Sequence, residues 1–141
     1  MKIFKWITIA FAISVLFLLW RDWYKDTETL KGSPFCILYA NSTTYFYWNH
    51  QDGSGWITEV IDEDGIQDIY WTDSCACVSF NDTAARPHYY IVSVIKNERK
   101  TGGIDFTTEG PYNENEFKGL INSKGIILSN MKYKHPKPRR N

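Results

Sequence analysis

Cysteine, carboxylate, histidine and aromatic clusters are the parts of this sequence able to do chemistry. Cys75-Ala76-Cys77 sets two thiols two positions apart, and in a strand such positions share one face. Cys36 is the third cysteine. Outside the cytosol, a disulfide joining Cys36 to Cys75 or Cys77 is one chemistry open to them, second to plain burial, and an odd count leaves one thiol over. The competing readings are three small residues buried in strands, or metal or redox work by the pair. Zinc sites usually show two spaced cysteine pairs, and no Cys-x-x-Cys occurs. No metal site and no cofactor are therefore assigned.

The carboxylates Asp62, Glu63 and Asp64, followed by Gly65 and Asp68, suggest a calcium loop at first sight. With Gly65 at the sixth loop position, an acid would be needed at Val60 and a Glu at Trp71. Neither is there, so the stretch reads as an acidic hairpin turn. Paired carboxylates also suit a small hydrolase, with Cys75 and Cys77 as the thiol version. His50, His88 and His135 are spread along the chain, and no nucleophile motif or phosphate-binding glycine loop accompanies them. Enzymatic activity is the less favoured reading. Tyr45-Phe46-Tyr47-Trp48 alternates aromatic rings across two strand faces. One pair fills a core. The other is either covered by a second layer, the favoured reading, or, with Trp56 or Trp71, offers a surface for a protein partner or a sugar.

Charge is segregated around these residues. The 141-residue chain has 16 basic and 16 acidic side chains and no net charge. Residues 1–21 hold three basic residues and no acid, and residues 132–141 hold five and no acid. The block between them is acidic. From Gly32 to Ala85 there are eight acids and no Lys or Arg. A body of this sign argues against nucleic acid and for a cationic partner.

The residues that position this body begin with an apolar stretch. Trp6 to Trp20 is fifteen residues without a charge, running through Ile7, Leu16 and Leu19. With Ile3 and Phe4 it spans roughly 27 Å, close to the ~30 Å hydrocarbon core. Trp6 at one end and Trp20, Trp23 and Tyr24 at the other suit the two headgroup zones. No small-residue cleavage site follows. The stretch predicts an uncleaved single-pass anchor, its helix continuing over Arg21–Lys31 to the stop at Gly32-Ser33-Pro34. The basic start places the domain outside the cytoplasm, in periplasmic or extracellular space.

The fold class expected is mainly β (α+β): a transmembrane helix, then an antiparallel β-meander domain with one short helix in its C-terminal half. The domain limits are 1–31 for the anchor and its extension, 32–131 for the β-rich domain and 132–141 for a basic disordered tail. Strands are predicted at Phe35–Ala40, Thr44–His50, Trp56–Ile61, Ile66–Trp71, Cys75–Phe80, His88–Asn97, Ile104–Thr108 and Ile126–Tyr133. Asp52-Gly53 and Asp64-Gly65 favour tight hairpins, so the first five strands are expected side by side in sequence order. Asn113 and Glu116 form a capping-box signature for a helix from Glu114 to about Asn122. Two prolines, Pro136 and Pro138, mark an extended tail.

The order Trp71-Thr72-Asp73, then His88-Tyr89-Tyr90-Ile91-Val92, then Gly110-Pro111 with Glu116-Phe117 resembles small bacterial cell-envelope, lipoprotein-like proteins of unknown function. It covers about a third of the chain. The cysteine that would carry a lipid is missing, and the resemblance implies no catalytic residues.

The leading expectation is a membrane-anchored envelope protein with an acidic binding domain. An immunity-type inhibitor of an envelope-targeted toxin is one concrete form. The alternatives are a cell-wall or sugar-binding module using Tyr47, Trp48 or Trp56, and a small carboxylate or thiol hydrolase.

Overall fold

The structure, a computed structural model, describes residues 9–18, 27–40, 42–49, 57–95 and 106–137. Two antiparallel sheets face each other. The first has the order β1-β2-β3-β4 and comprises β1 (Thr27–Thr29), β2 (Phe35–Ala40), β3 (Thr43–Asn49) and β4 (Ile57–Asp64). The second has the order β8-β7-β6-β5-β9. Its strands are β5 (Asp68–Trp71), β6 (Cys75–Asn81), β7 (Pro87–Val94), β8 (Phe106–Tyr112) and β9 (Lys132–Lys134). Helix α1 covers residues 9–18, and α2 is Glu114–Ser123.

Strand alternation builds the main core. Phe35, Ile37 and Tyr39 of β2, Phe46 and Trp48 of β3, and Val60 and Ile61 of β4 point at the second sheet. Ile69 and Trp71, Ala76, Val78 and Phe80, and Tyr90 and Val92 answer them. Rings dominate the contact: Phe35 stacks on Phe46 at 5.1 Å and meets Trp48 edge-on at 5.6 Å. The outward residues of β5, β6 and β7 form a second cluster, in which Cys77 and Ile91 pack beneath Phe117 and Ile121 of α2. The second sheet is thus covered on both faces, and β6 shows five consecutive buried residues for that reason.

Helix α2 starts as its sequence predicts. The Asn113 side chain accepts from the backbone N–H groups of Asn115 and Glu116, and the Glu116 carboxylate accepts from the Asn113 N–H. It ends in a Schellman turn: Gly125 has φ +67°, its N–H donates to Asn122, and the Ile126 N–H donates to Ile121.

Several expectations are corrected. Strands β4 and β5 do not pair, because the chain crosses from one sheet to the other between them. Asp64-Gly65 is the corner of a sandwich, with the Gly65 N–H donating to the Thr44 carbonyl. The predicted helical extension over Arg21–Lys31 is overturned at Thr27–Thr29, which form edge strand β1 against β2. The predicted strand Ile126–Tyr133 is broken by a 3-10 turn at Leu128–Asn130, because Ile126 closes the helix and Ile126, Leu128 and Met131 turn in beneath α2. The predicted disordered tail is ordered over its first residues. Lys132–Lys134 pairs with β5, Pro136 is fully buried, and Lys134 forms an ion pair with Glu28 of β1.

Helix α1 is apolar around its whole circumference. Ile9, Phe11, Ile13, Leu16 and Phe17 are each at least half exposed. Ser14 satisfies its hydroxyl on the Ala10 carbonyl at 2.9 Å. Among the described residues no helix is long and apolar enough to cross a membrane. Ten residues span about 15 Å, and Trp6, Ile7, Leu19 and Trp20 of the predicted anchor lie outside the described residues.

Candidate functional site

The acidic stretch that reads as one cluster in the sequence is divided by the fold. Glu59, Asp62 and Asp64 are exposed on β4, the outer strand of its sheet. Glu63, between them, turns toward the second sheet. Its carboxylate accepts the Tyr90 hydroxyl and pairs with His88 Nε2. His88 and Tyr90 are two residues apart on β7, so both reach Glu63 from one strand face. Phe80 backs them, stacked on His88 at 6.1 Å and edge-on to Tyr90 at 5.8 Å. Burial, reinforced by the Glu63 hydrogen bond, pushes the Tyr90 phenol well above the usual tyrosine range.

Glu63 and His88 open onto a groove of about 700 Å³, also lined by Asp82, Arg86, Pro111 and Tyr112. Arg86 is matched by Asp82 at 2.8 Å. The Arg86 backbone N–H, together with that guanidinium, holds the Asp82 carboxyl below its usual value. The other carboxylate lining the groove is Glu63, held by His88 and Tyr90.

Asp68 belongs to a different place. It accepts the Tyr133 hydroxyl at 2.7 Å and approaches His135 Nδ1 at 3.3 Å. It borders a cavity of about 240 Å³ between α2 and the second sheet, walled by Tyr70, Tyr89 and Phe117 with Cys77 at the floor. Tyr89 lies flat on Phe117 at 4.5 Å.

The aromatic platform expected from the sequence is reduced. Trp48 and Trp71 are buried in the core, with Trp71 Nε1 donating to the Lys31 carbonyl at 3.3 Å. Trp56 lies outside the described residues. Tyr45 and Tyr47 are half-buried on the outer face of the first sheet. Burial and the neighbouring Glu59 raise the Tyr47 phenol.

All three cysteines are free thiols, so the disulfide alternative is not realised. Cys36 follows Phe35 and precedes Ile37, both core residues, so it faces away from the second sheet. Cys75 and Cys77 face α2 on the far side of that sheet. The whole sandwich therefore separates them. Burial pushes Cys36 up to about 12. The hydrogen bond between Cys75 and Cys77, with Lys124 nearby, holds Cys75 below its ordinary value and drives Cys77 upward.

The partners that sequence reasoning missed are His88 and Tyr90 around Glu63, and Tyr89, Phe117 and Glu114 around the cavity. The His88-x-Tyr90 spacing was a visible signal for a shared face, but nothing in it pointed to Glu63, 25 positions away. No protein-family model, no curated protein and no solved structure matches this chain.

Proposed function

We propose that this chain is a membrane-tethered, non-enzymatic envelope protein whose acidic groove captures a cationic protein partner. The observation that carries this reading is the 700 Å³ groove. It holds the Glu63 carboxylate, with Asp62 and Asp64 exposed on the same strand. No salt bridge among the described residues occupies Glu59, Asp62 or Asp64. Complementary charge of this kind raises encounter rate and selectivity. The groove volume is that of a site for a few side chains.

The tether is read from residues 3–20 and from the all-round exposed apolar surface of α1. The basic start directs the domain out of the cytoplasm, toward the periplasm or the cell exterior. An immunity-type inhibitor is the concrete form in which a small acidic domain meets a basic toxin.

The test is capture from envelope extracts by the full chain. The partner should bind at about 50 mM salt and be released by about 500 mM, where the screening length falls several-fold. Asp62→Asn combined with Asp64→Asn should weaken capture at low salt with the fold intact. Absence of any captured protein at low salt, or capture indifferent to both salt and these substitutions, rejects the reading. Retention on peptidoglycan that Tyr45→Ala and Tyr47→Ala abolish would favour the sugar-binding alternative instead.

A further inference from the structure

The sulfur atoms of this chain are few, and the fold gathers three of them. The chain has three cysteines and two methionines. Cys77, Cys75 and Met131 all belong to the apolar cluster beneath α2. They come from separate places: Cys75 and Cys77 from β6, and Met131 from the residue before β9. The two thiols stand two residues apart on one face of β6. Cys77 forms part of the floor of the 240 Å³ cavity, and Cys75 is half-buried. Cys75 is therefore reachable from solvent and Cys77 is buried beside it, and their surroundings, Tyr70, Tyr89, Leu120 and Ile126, are apolar.

Strand geometry separates the alternatives. A rise of about 3.4 Å per residue in an antiparallel strand holds Cα atoms at i and i+2 about 6.8 Å apart. That is the outer limit for a disulfide, whose Cα separation is usually about 4.4–6.8 Å. A bond within the pair would strain β6, whose residues stay in register with β5 and β7 throughout. Two sulfurs at this spacing instead suit an ion placed between them. Thiolate and thioether donors in a dry, apolar setting select soft cations, copper(I) foremost. No cluster of three or more His, Cys, Asp or Glu side chains suited to a metal occurs among the described residues, so a hard or tetrahedral ion lacks its donor set.

We propose that Cys75 and Cys77, with Met131 as a third and weaker donor, form a binding site for a soft monovalent cation of the copper(I) class. On binding, two S–H bonds lose their protons to solvent and two metal–sulfur bonds form. The copper stays monovalent and no electrons are exchanged. The site lies on the α2 side of the second sheet, so it is independent of the groove proposed for the protein partner.

The experiment is an anaerobic titration of the reduced full chain, in detergent, with copper(I) delivered as its bicinchoninate complex. The wild-type chain should withdraw about one copper(I) and show thiolate-to-metal absorption in the ultraviolet. Cys75→Ser and Cys77→Ser should each weaken binding by at least about a hundredfold, and Met131→Leu by about tenfold. Cys36→Ser should bind as wild type. Circular dichroism checks each fold. The half-buried Cys75 provides the decisive variant if Cys77→Ser does not fold. No withdrawal of copper by the wild type overturns the site, as does undiminished binding in Cys75→Ser or loss of binding in Cys36→Ser. Unchanged affinity in Met131→Leu removes the thioether from the set.

Discussion

Glu63 and Asp68 stand five residues apart and each accepts a tyrosine hydroxyl, yet they act on opposite faces of the second sheet. Glu63 receives Tyr90 from within the sandwich. Asp68 receives Tyr133 on the outer face. The Asp68 hydrogen bond raises the Tyr133 phenol to about 12 from an ordinary 10.0, and Tyr90 is raised as well. A folded value above the unfolded one means that the neutral phenol supports the fold. That support is complete below pH 10.0 and is lost as pH rises through about 12. Urea midpoints should therefore fall over this alkaline window. Tyr133→Phe should flatten part of the fall. An unchanged slope in that variant would show that the Tyr133–Asp68 bond does not act on stability.

The elements owe their limits to backbone chemistry at a few positions. Gly110 has φ +134°, and a Cβ there would lie 2.7 Å from the Tyr89 carbonyl oxygen and 2.8 Å from Tyr90 Cδ1. It sits where β7 and β8 slip register. Gly119 lies inside α2 with nothing within 4 Å of an added Cβ. The same substitution should thus act in opposite directions. Gly119→Ala should stabilise by about 0.5–1 kcal/mol through helix propensity. Gly110→Ala should destabilise by about 2 kcal/mol or more through backbone strain and the clash. Urea denaturation of the two variants decides it, and equal signs would contradict the placement of Gly110. The edge strand β4 belongs here as well. Its exposed Glu59, Asp62 and Asp64 discourage edge-to-edge pairing between like copies while leaving the strand open to a basic partner.

The two sheets are closed at their seam by residues 132–136. Strand β9 is the outer strand of the second sheet, and Lys134 reaches Glu28 on β1 of the first. Lys132 Nζ donates to the Lys31 carbonyl at 2.7 Å. Tyr133 packs on Tyr70 at 4.9 Å, and Pro136 is fully buried. Deleting residues 132–141 should therefore destabilise the domain by about 2–4 kcal/mol, the combined worth of a ring contact and a few hydrogen bonds. A loose tail would leave the thermal midpoint unchanged on deletion. The net charge of zero has the same structure behind it. Basic residues at the C-terminal end are partly spent on holding the two sheets together, and the acidic strand β4 keeps its charge for solvent.

Local pattern in the sequence determined the strands from Phe35 to Ala40, from Cys75 onward and around Tyr90, and it determined the capped start of α2. Alternation, turn residues and a reciprocal side-chain cap act within a few positions, so they are visible in one dimension. The sequence also showed the acid-rich window and the thiol pair on one strand face. Tertiary structure alone decided which sheet each strand joined, because a corner at Asp64-Gly65 and a hairpin there share the same turn chemistry. It alone put Trp48 and Trp71 in the core, since burial depends on what the opposing sheet presents. It separated Cys36 from the other thiols, joined Glu63 to residues 25 and 27 positions away, and put Met131 in the same apolar cluster as Cys75 and Cys77. Contacts at that separation arise from packing two sheets and a helix together, and no short-range preference encodes them.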